Sequence, residues 1–195
     1  MKAWKPVCAA LIALATLPAT ASLLTYKGTL SDAGEAGASP AGTGSVLVTL
    51  DDTTSILTVN VIFSGLIGDV TASHIHCCTT AAGTGTAGVA TVTPTFTGFP
   101  LGATFGSYDH VFDMTLASSY NPGFITANGG TVSTAFTAFL NGIDAGKAYL
   151  NIHSSFAPGG EIRGFLSPVP EPASYGLMGL GLLGLGAFRR RRNHA

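Results

Sequence analysis

Three histidines carry most of the chemistry this sequence offers. Two stand two apart in His74-Ile75-His76, followed at once by Cys77-Cys78, and the third is His153. Side chains alternate across a strand, so His74 and His76 share a face, about 6.6 Å apart along the backbone. Rings so placed can converge on one ion at imidazole–metal distances of about 2.0 Å. A third imidazole from a neighbouring strand would complete a site for zinc or copper with one position open. Cys77 and Cys78 would add soft ligands. Histidines among Gly, Ser and Thr on a sheet are, however, more often hydrogen-bonding partners. A structural or pH-sensitive hydrogen-bond cluster is therefore the reading the motif alone favours. Metal ligation by His74, His76 and His153 is the alternative. His110, with Tyr108, Phe112 and Met114 around it, reads as packed rather than liganding.

Two further pairs bear on the same face. Glu161 and Arg163 are two apart and are expected to form a surface ion pair, contributing about 0 to 1 kcal/mol; the functional reading has Arg163 gripping a carboxylate ligand. Cys77 and Cys78 are neighbours in an exported chain, where free thiols rarely persist. A vicinal disulfide is the leading expectation, with a bond between chains or metal ligation as the others. No Gly-x-Ser-x-Gly, His-Glu-x-x-His or phosphate loop occurs, so no catalytic residue is expected and the chain is not expected to be an enzyme.

The elements that must hold these residues are mostly strands. Leu23 to Leu30 reads as the first. Ser45 to Asp51 and Ile56 to Ser64 alternate apolar and polar residues across the turn Asp52-Thr53-Thr54, the pattern of a hairpin. Val70 to His76 is the histidine strand. Val89 to Thr95 is a further candidate, and Tyr108 to Leu116 a stronger one. Asn121-Pro122 is expected to open a short helix. Val132, Ala135, Phe136, Phe139 and Leu140 recur at helical spacing, with Gly142 and Gly146 as candidate stops. Ala148 to His153 and Glu161 to Leu166 are expected as two closing strands around Pro158-Gly159-Gly160. If the histidine strand neighbours them, His74, His76, His153, Glu161 and Arg163 share one side of a sheet. The fold class expected is mainly β, an antiparallel Greek-key-like sandwich or barrel with one or two short helices.

The two ends read as address labels. Lys2 and Lys5 precede the apolar run Val7 to Leu17, and Ala19-Thr20-Ala21 offers small residues before a cut at Ser22, the pattern of a secretory signal peptide. At the other end Pro170-Glu171-Pro172 is followed by a Gly/Leu-rich apolar block, Tyr175 to Phe188, and by Arg189-Arg190-Arg191-Arg192. The block is short for a comfortable bilayer span and suits a transient inner-membrane anchor. The arginines hold that side in the cytoplasm. The division expected is a signal peptide at 1–21, one domain at 22–167 and a sorting tail at 168–195. The middle part keeps three basic residues against nine acids, a net charge of −6. Such a surface repels phosphate backbones, so no nucleic-acid partner is expected.

Taken in order, the Pro-Glu-Pro, apolar helix and arginine cluster resemble the PEP-CTERM sorting signal of Gram-negative bacteria. That resemblance implies recognition and removal by an exosortase, after signal peptidase has acted, and delivery to the outer surface or extracellular matrix. Four internal blocks resemble the CHRD domain: Ser64-Gly65-Leu66, Val70-Thr71-Ala72-Ser73-His74-Ile75-His76, Ala148-Tyr149-Leu150-Asn151-Ile152-His153, and Pro158-Gly159-Gly160-Glu161-Ile162-Arg163-Gly164-Phe165-Leu166. The resemblance implies an extracellular β-rich module and supplies no catalytic residues. This chain has Cys77-Cys78 where many members have glycine after His-x-His. The expected function is therefore an exported module that acts by binding or by building matrix, with exopolysaccharide or matrix proteins as partners. A copper- or zinc-binding extracellular protein is the alternative.

Overall fold

The computed structural model describes residues 23–33 and 42–170. The expected signal peptide lies outside the described residues. So do Glu171, Pro172, Arg189 to Arg192 and the apolar block before them. Among the described residues, no helix is long and apolar enough to cross a membrane.

Among the described residues, eight strands form two antiparallel sheets. They are β1 (Leu23–Leu30), β2 (Thr43–Asp51), β3 (Ile56–Ser64), β4 (Val70–Cys77), β5 (Gly106–Asp113), β6 (Ala148–Ser154), β7 (Ile162–Phe165) and β8 (Ser167–Pro168). The first sheet has the order β5-β3-β2-β1-β8, and the second β4-β6-β7. Neither closes into a barrel, so the sandwich half of the expectation is the one that holds. The expected hairpin is β2–β3, with Val48 opposite Val59 and Val46 opposite Val61. Its turn is fixed by Asp51, whose Oδ1 accepts from the backbone N–H of Thr53 and Thr54, each at 2.9 Å. Period-two alternation sends Leu57, Val59, Val61 and Phe63 of β3 inward with Val46, Val48 and Leu50 of β2. They meet Ile75 of β4, Leu150 and Ile152 of β6 and Ile162 of β7 in one core.

Two helices pack beside this core, α1 (Pro122–Ala127) and α2 (Val132–Asp144). Pro122 opens α1, where its missing N–H is no loss, and the Asn121 side chain accepts from Gly123 N–H at 2.9 Å. Thr131 caps α2 in a reciprocal arrangement with Thr134. Ala135, Phe139 and Ile143 form the buried stripe.

The structure corrects two expectations about elements. Residues 89–95 form no strand and make only isolated bridges, His76 to Val89 and Thr91 to Tyr120. Pro94 has no N–H to give a ladder; its carbonyl meets the His74 ring, and Thr91 and Thr95 bond the β4 backbone through their hydroxyls. Gly142 does not stop α2; it lies inside the helix, and Gly146, at φ +66°, ends it. Gly142 is glycine for clearance. A Cβ there would run into the sulfurs of Cys77 and Cys78, closer than real Cβ atoms approach. We expect Gly142→Ala to destabilise the domain by about 1 to 3 kcal/mol as α2 is pushed off the second sheet, read as a lower midpoint in urea unfolding. An unchanged midpoint would show that the contact is slack.

Candidate functional site

The second sheet brings the three histidines together. β4 pairs with β6 so that His74 stands opposite Asn151, His76 opposite Tyr149 and Ala72 opposite His153, with a register irregularity between Val70 and Ala72. β6 pairs in turn with β7, Asn151 opposite Arg163. The ring centroids of His74 and His153 are 5.2 Å apart, those of His76 and His153 5.8 Å, and those of His74 and His76 5.9 Å. One ligating atom from each ring lies within 4.8 Å of those of the other two.

Backbone carbonyls outside the strands set the orientation of each ring. His74 Nε2 meets Pro94 O at 2.5 Å, His76 Nδ1 meets Ala87 O at 2.9 Å, and His153 Nδ1 meets Pro158 O at 2.9 Å. A carbonyl only accepts, so in each contact the ring nitrogen carries the hydrogen and donates. The other nitrogen of each neutral ring is then a bare lone pair. These are His74 Nδ1, His76 Nε2 and His153 Nε2, all buried and all without a hydrogen-bond partner. Asn151 donates through Nδ2 to Gly159 O at 3.3 Å, and its Oδ1 is likewise buried without a donor.

Burial is the main force on the rings' protonation. It pushes His74 and His153 below the ordinary histidine value and takes His76 down to about 4. The carbonyl bonds oppose this, and the neighbouring imidazoles and the Arg163 guanidinium add to the depression at His76. The rings are therefore neutral at pH 7. His76 lies flat on Tyr149, with centroids 4.8 Å apart and planes 7° from parallel. The Arg163 guanidinium lies over the Tyr149 ring at 5.1 Å, and its Nη1 donates to Gly85 O at 3.3 Å.

Glu161 and Arg163 are not a surface pair. Glu161 is fully buried and Arg163 is 8% exposed. The Glu161 carboxylate turns to the bend after β3, accepting from Ile67 N–H at 2.5 Å, Gly68 N–H at 3.2 Å and the Ser154 hydroxyl. Strand alternation alone would leave one face of β7 solvated, whereas the bend at Ile67-Gly68 and the loop at Gly85 lie against Glu161 and Arg163. Cys77 and Cys78 are disulfide-bonded to each other, and their sulfurs abut Gly142 of α2. They do not join the histidine group. His110 stacks between Tyr108 and Phe112, with centroids at 5.8 and 4.6 Å, as a packed ring does.

Strand parity, together with the β4–β6 pairing the structure supplies, was enough to gather the histidines. The carbonyls of Ala87, Pro94 and Pro158, which orient them, carry no signal in residue type. Asn151 and Tyr149 were legible as occupants of the face, but not as a buried acceptor and a stacking floor.

Comparison with known families agrees with the two resemblances. Residues 168–192 match the PEP-CTERM protein-sorting motif. That motif implies processing by an exosortase during export and a surface or extracellular destination. Neither a curated protein nor a solved structure gives a significant match. The family model for the CHRD domain matches residues 26–166, from the fourth residue of β1 to the residue between β7 and β8. On that match, spanning every core strand described above, the chain belongs to the CHRD domain family.

Proposed function

We propose that the chain is exported, loses both ends, and works as a non-catalytic CHRD module at the cell surface or in the extracellular matrix, by binding. The observation that carries this reading is where the sorting motif begins. β8 pairs with β1 through Pro168 opposite Tyr26, and Val169 N–H donates to Thr25 O at 2.8 Å. Pro170, Glu171 and Pro172 follow directly. A cut at or beyond this motif leaves both sheets whole, so the module is built to be released intact. Signal peptidase and an exosortase are its processing partners, with boundaries at 21/22 and at or beyond Pro170-Glu171-Pro172; the inner membrane is a transient one, and exopolysaccharide or matrix proteins are the lasting ones. The surroundings of the histidines support binding over turnover. Among the described residues, each ring is held by a carbonyl, and none by the hydroxyl, thiol or carboxylate that a nucleophile–base pair requires.

Intact-mass spectrometry of native envelope and medium fractions tests this. The expected species lacks residues before 22 and the arginine cluster. Glu171→Ala combined with Pro172→Ala should leave the tail attached and the protein at the inner membrane. Recovery of the wild-type chain with both ends in the cytoplasm would overturn the reading.

A further inference from the structure

We infer that His74, His76 and His153 form a preformed binding site for a single transition-metal ion, held by His74 Nδ1, His76 Nε2 and His153 Nε2. The inference goes beyond the surface role proposed above and stands on the geometry alone. A hydrogen-bond cluster has donors and acceptors that meet. Here the three outer nitrogens donate to carbonyls, and the three remaining nitrogens are acceptors left without a donor. Asn151 Oδ1, on the same face between His74 and Arg163 in the strand register, is a fourth buried acceptor in the same condition. Buried acceptors without donors are costly. Four on one sheet face call for an electron-pair acceptor rather than another lone pair.

The spacing fits a metal. Three atoms within 4.8 Å of one another leave some point within about 2.8 Å of all three. Imidazole–metal bonds are about 2.0 to 2.1 Å, so each ring must close by less than about 1 Å. The carbonyl contacts supply what metal-bound histidines need behind them: a fixed tautomer and a fixed ring plane. No thiol joins the group, since both sulfurs are bonded to each other. Glu161 does not join the group either, its carboxylate being turned to Ile67, Gly68 and Ser154. The ligand set is therefore three neutral imidazoles, with Asn151 Oδ1 or an outside donor for a further position. Zinc and copper(I), filled-shell ions that take imidazole and impose no square geometry, share the chemistry that this set selects. A hard, oxygen-seeking ion such as calcium or magnesium does not.

The test uses the full-length chain stripped with a chelator. It is titrated with zinc chloride and, in a separate arm, with copper(I) kept reduced by ascorbate, each in competition with a chromogenic chelator. We expect one ion per chain in at least one arm. Affinity should fall at least about a hundredfold in His74→Gln, His76→Gln and His153→Gln, and should not move in His110→Gln or His194→Gln. Calcium should not compete. A readout that needs no variant guards against misfolding: nitrogen resonances of the three unprotonated ring nitrogens in the wild-type chain should shift on loading. Saturation by neither ion at micromolar concentration would overturn the inference. So would uptake that leaves those resonances in place, or uptake that survives replacement of all three histidines in a folded chain. None of these outcomes touches the export reading, which the mass of the native protein decides.

Discussion

Glu161→Ala is expected to destabilise the domain by about 3 to 5 kcal/mol, the loss typical of removing one partner from a buried charged network. The carboxylate is fully buried and accepts from three donors: Ile67 N–H, Gly68 N–H and the Ser154 hydroxyl. Truncation leaves Gly68 N–H and the Ser154 hydroxyl buried without their acceptor. It also opens a cavity where the bend after β3 meets the end of β6. Ser154 Oγ is itself the acceptor for Ala157 N–H at 3.1 Å, so the turn that leads to β7 is loosened at the same stroke. Glu161→Gln separates shape from chemistry. It fills the same volume but offers one acceptor and sets an amide donor against donors, so a loss of about 1 to 2 kcal/mol is expected. Urea unfolding followed by far-ultraviolet circular dichroism reads both. A loss under about 1 kcal/mol for Glu161→Ala would show that the carboxylate does not tie the two sheets.

This residue also shows where sequence reasoning reached its limit. Two-residue spacing placed Glu161 beside Arg163 and implied an exposed pair. The missing fact was long-range: the backbone of Ile67 and Gly68 takes the Glu161 carboxylate and Gly85 O takes the Arg163 guanidinium, and nothing in those residue types announces it. Where the fold follows from local pattern, the reading was close. The β3 alternation of Leu57, Val59, Val61 and Phe63 is the core stripe observed, Asn121-Pro122 opens a helix at the expected place, and the apolar spacing from Val132 onward is that of α2. Residues 89–95 show the opposite case. Val89, Val92 and the threonines have strand propensity, yet in place of a continuous ladder the segment makes a few isolated backbone bonds and threonine side-chain contacts to the histidine strand. Thr91 Oγ1 accepts from Ile75 N–H at 3.0 Å, and Thr95 Oγ1 accepts from Ser73 N–H at 2.9 Å. Threonines that satisfy the outer edge of β4 stop that edge from recruiting a strand, and in the same stroke bring Pro94 O over His74. The candidate site was thus legible as three residues on one face, and illegible as a set of rings with assigned tautomers.

The rings' burial makes stability depend on pH in a stated direction. For His76 the value in the folded protein is about 4, against an ordinary 6.5 in the unfolded chain. The unfolded chain therefore takes up a proton first as the pH falls. Stability is fully present above pH 6.5, declines between about 6.5 and 4, and the loss is complete once the folded protein is protonated as well. The difference at His76 corresponds to roughly 3 kcal/mol. His74 and His153 are displaced the same way by burial and add to the loss of stability below about pH 6.5. The charged and titratable neighbours of His76 are His74, His153 and the Arg163 guanidinium, all of which act against its protonation. Asp51 and Asp113, held below the usual 3.8 by bonds from Thr54 and Thr115, lose their contributions only at lower pH and do not blur the histidine window. Urea midpoints of chelator-treated protein from pH 8 to pH 4 check this. The curve should be flat above pH 7 and fall steeply below 6.5, and His76→Gln should be shallower over that interval by about the same 3 kcal/mol. A wild-type curve flat to pH 4.5, or a variant equally steep, would mean that water reaches the rings freely and that their acceptors are not buried as described above.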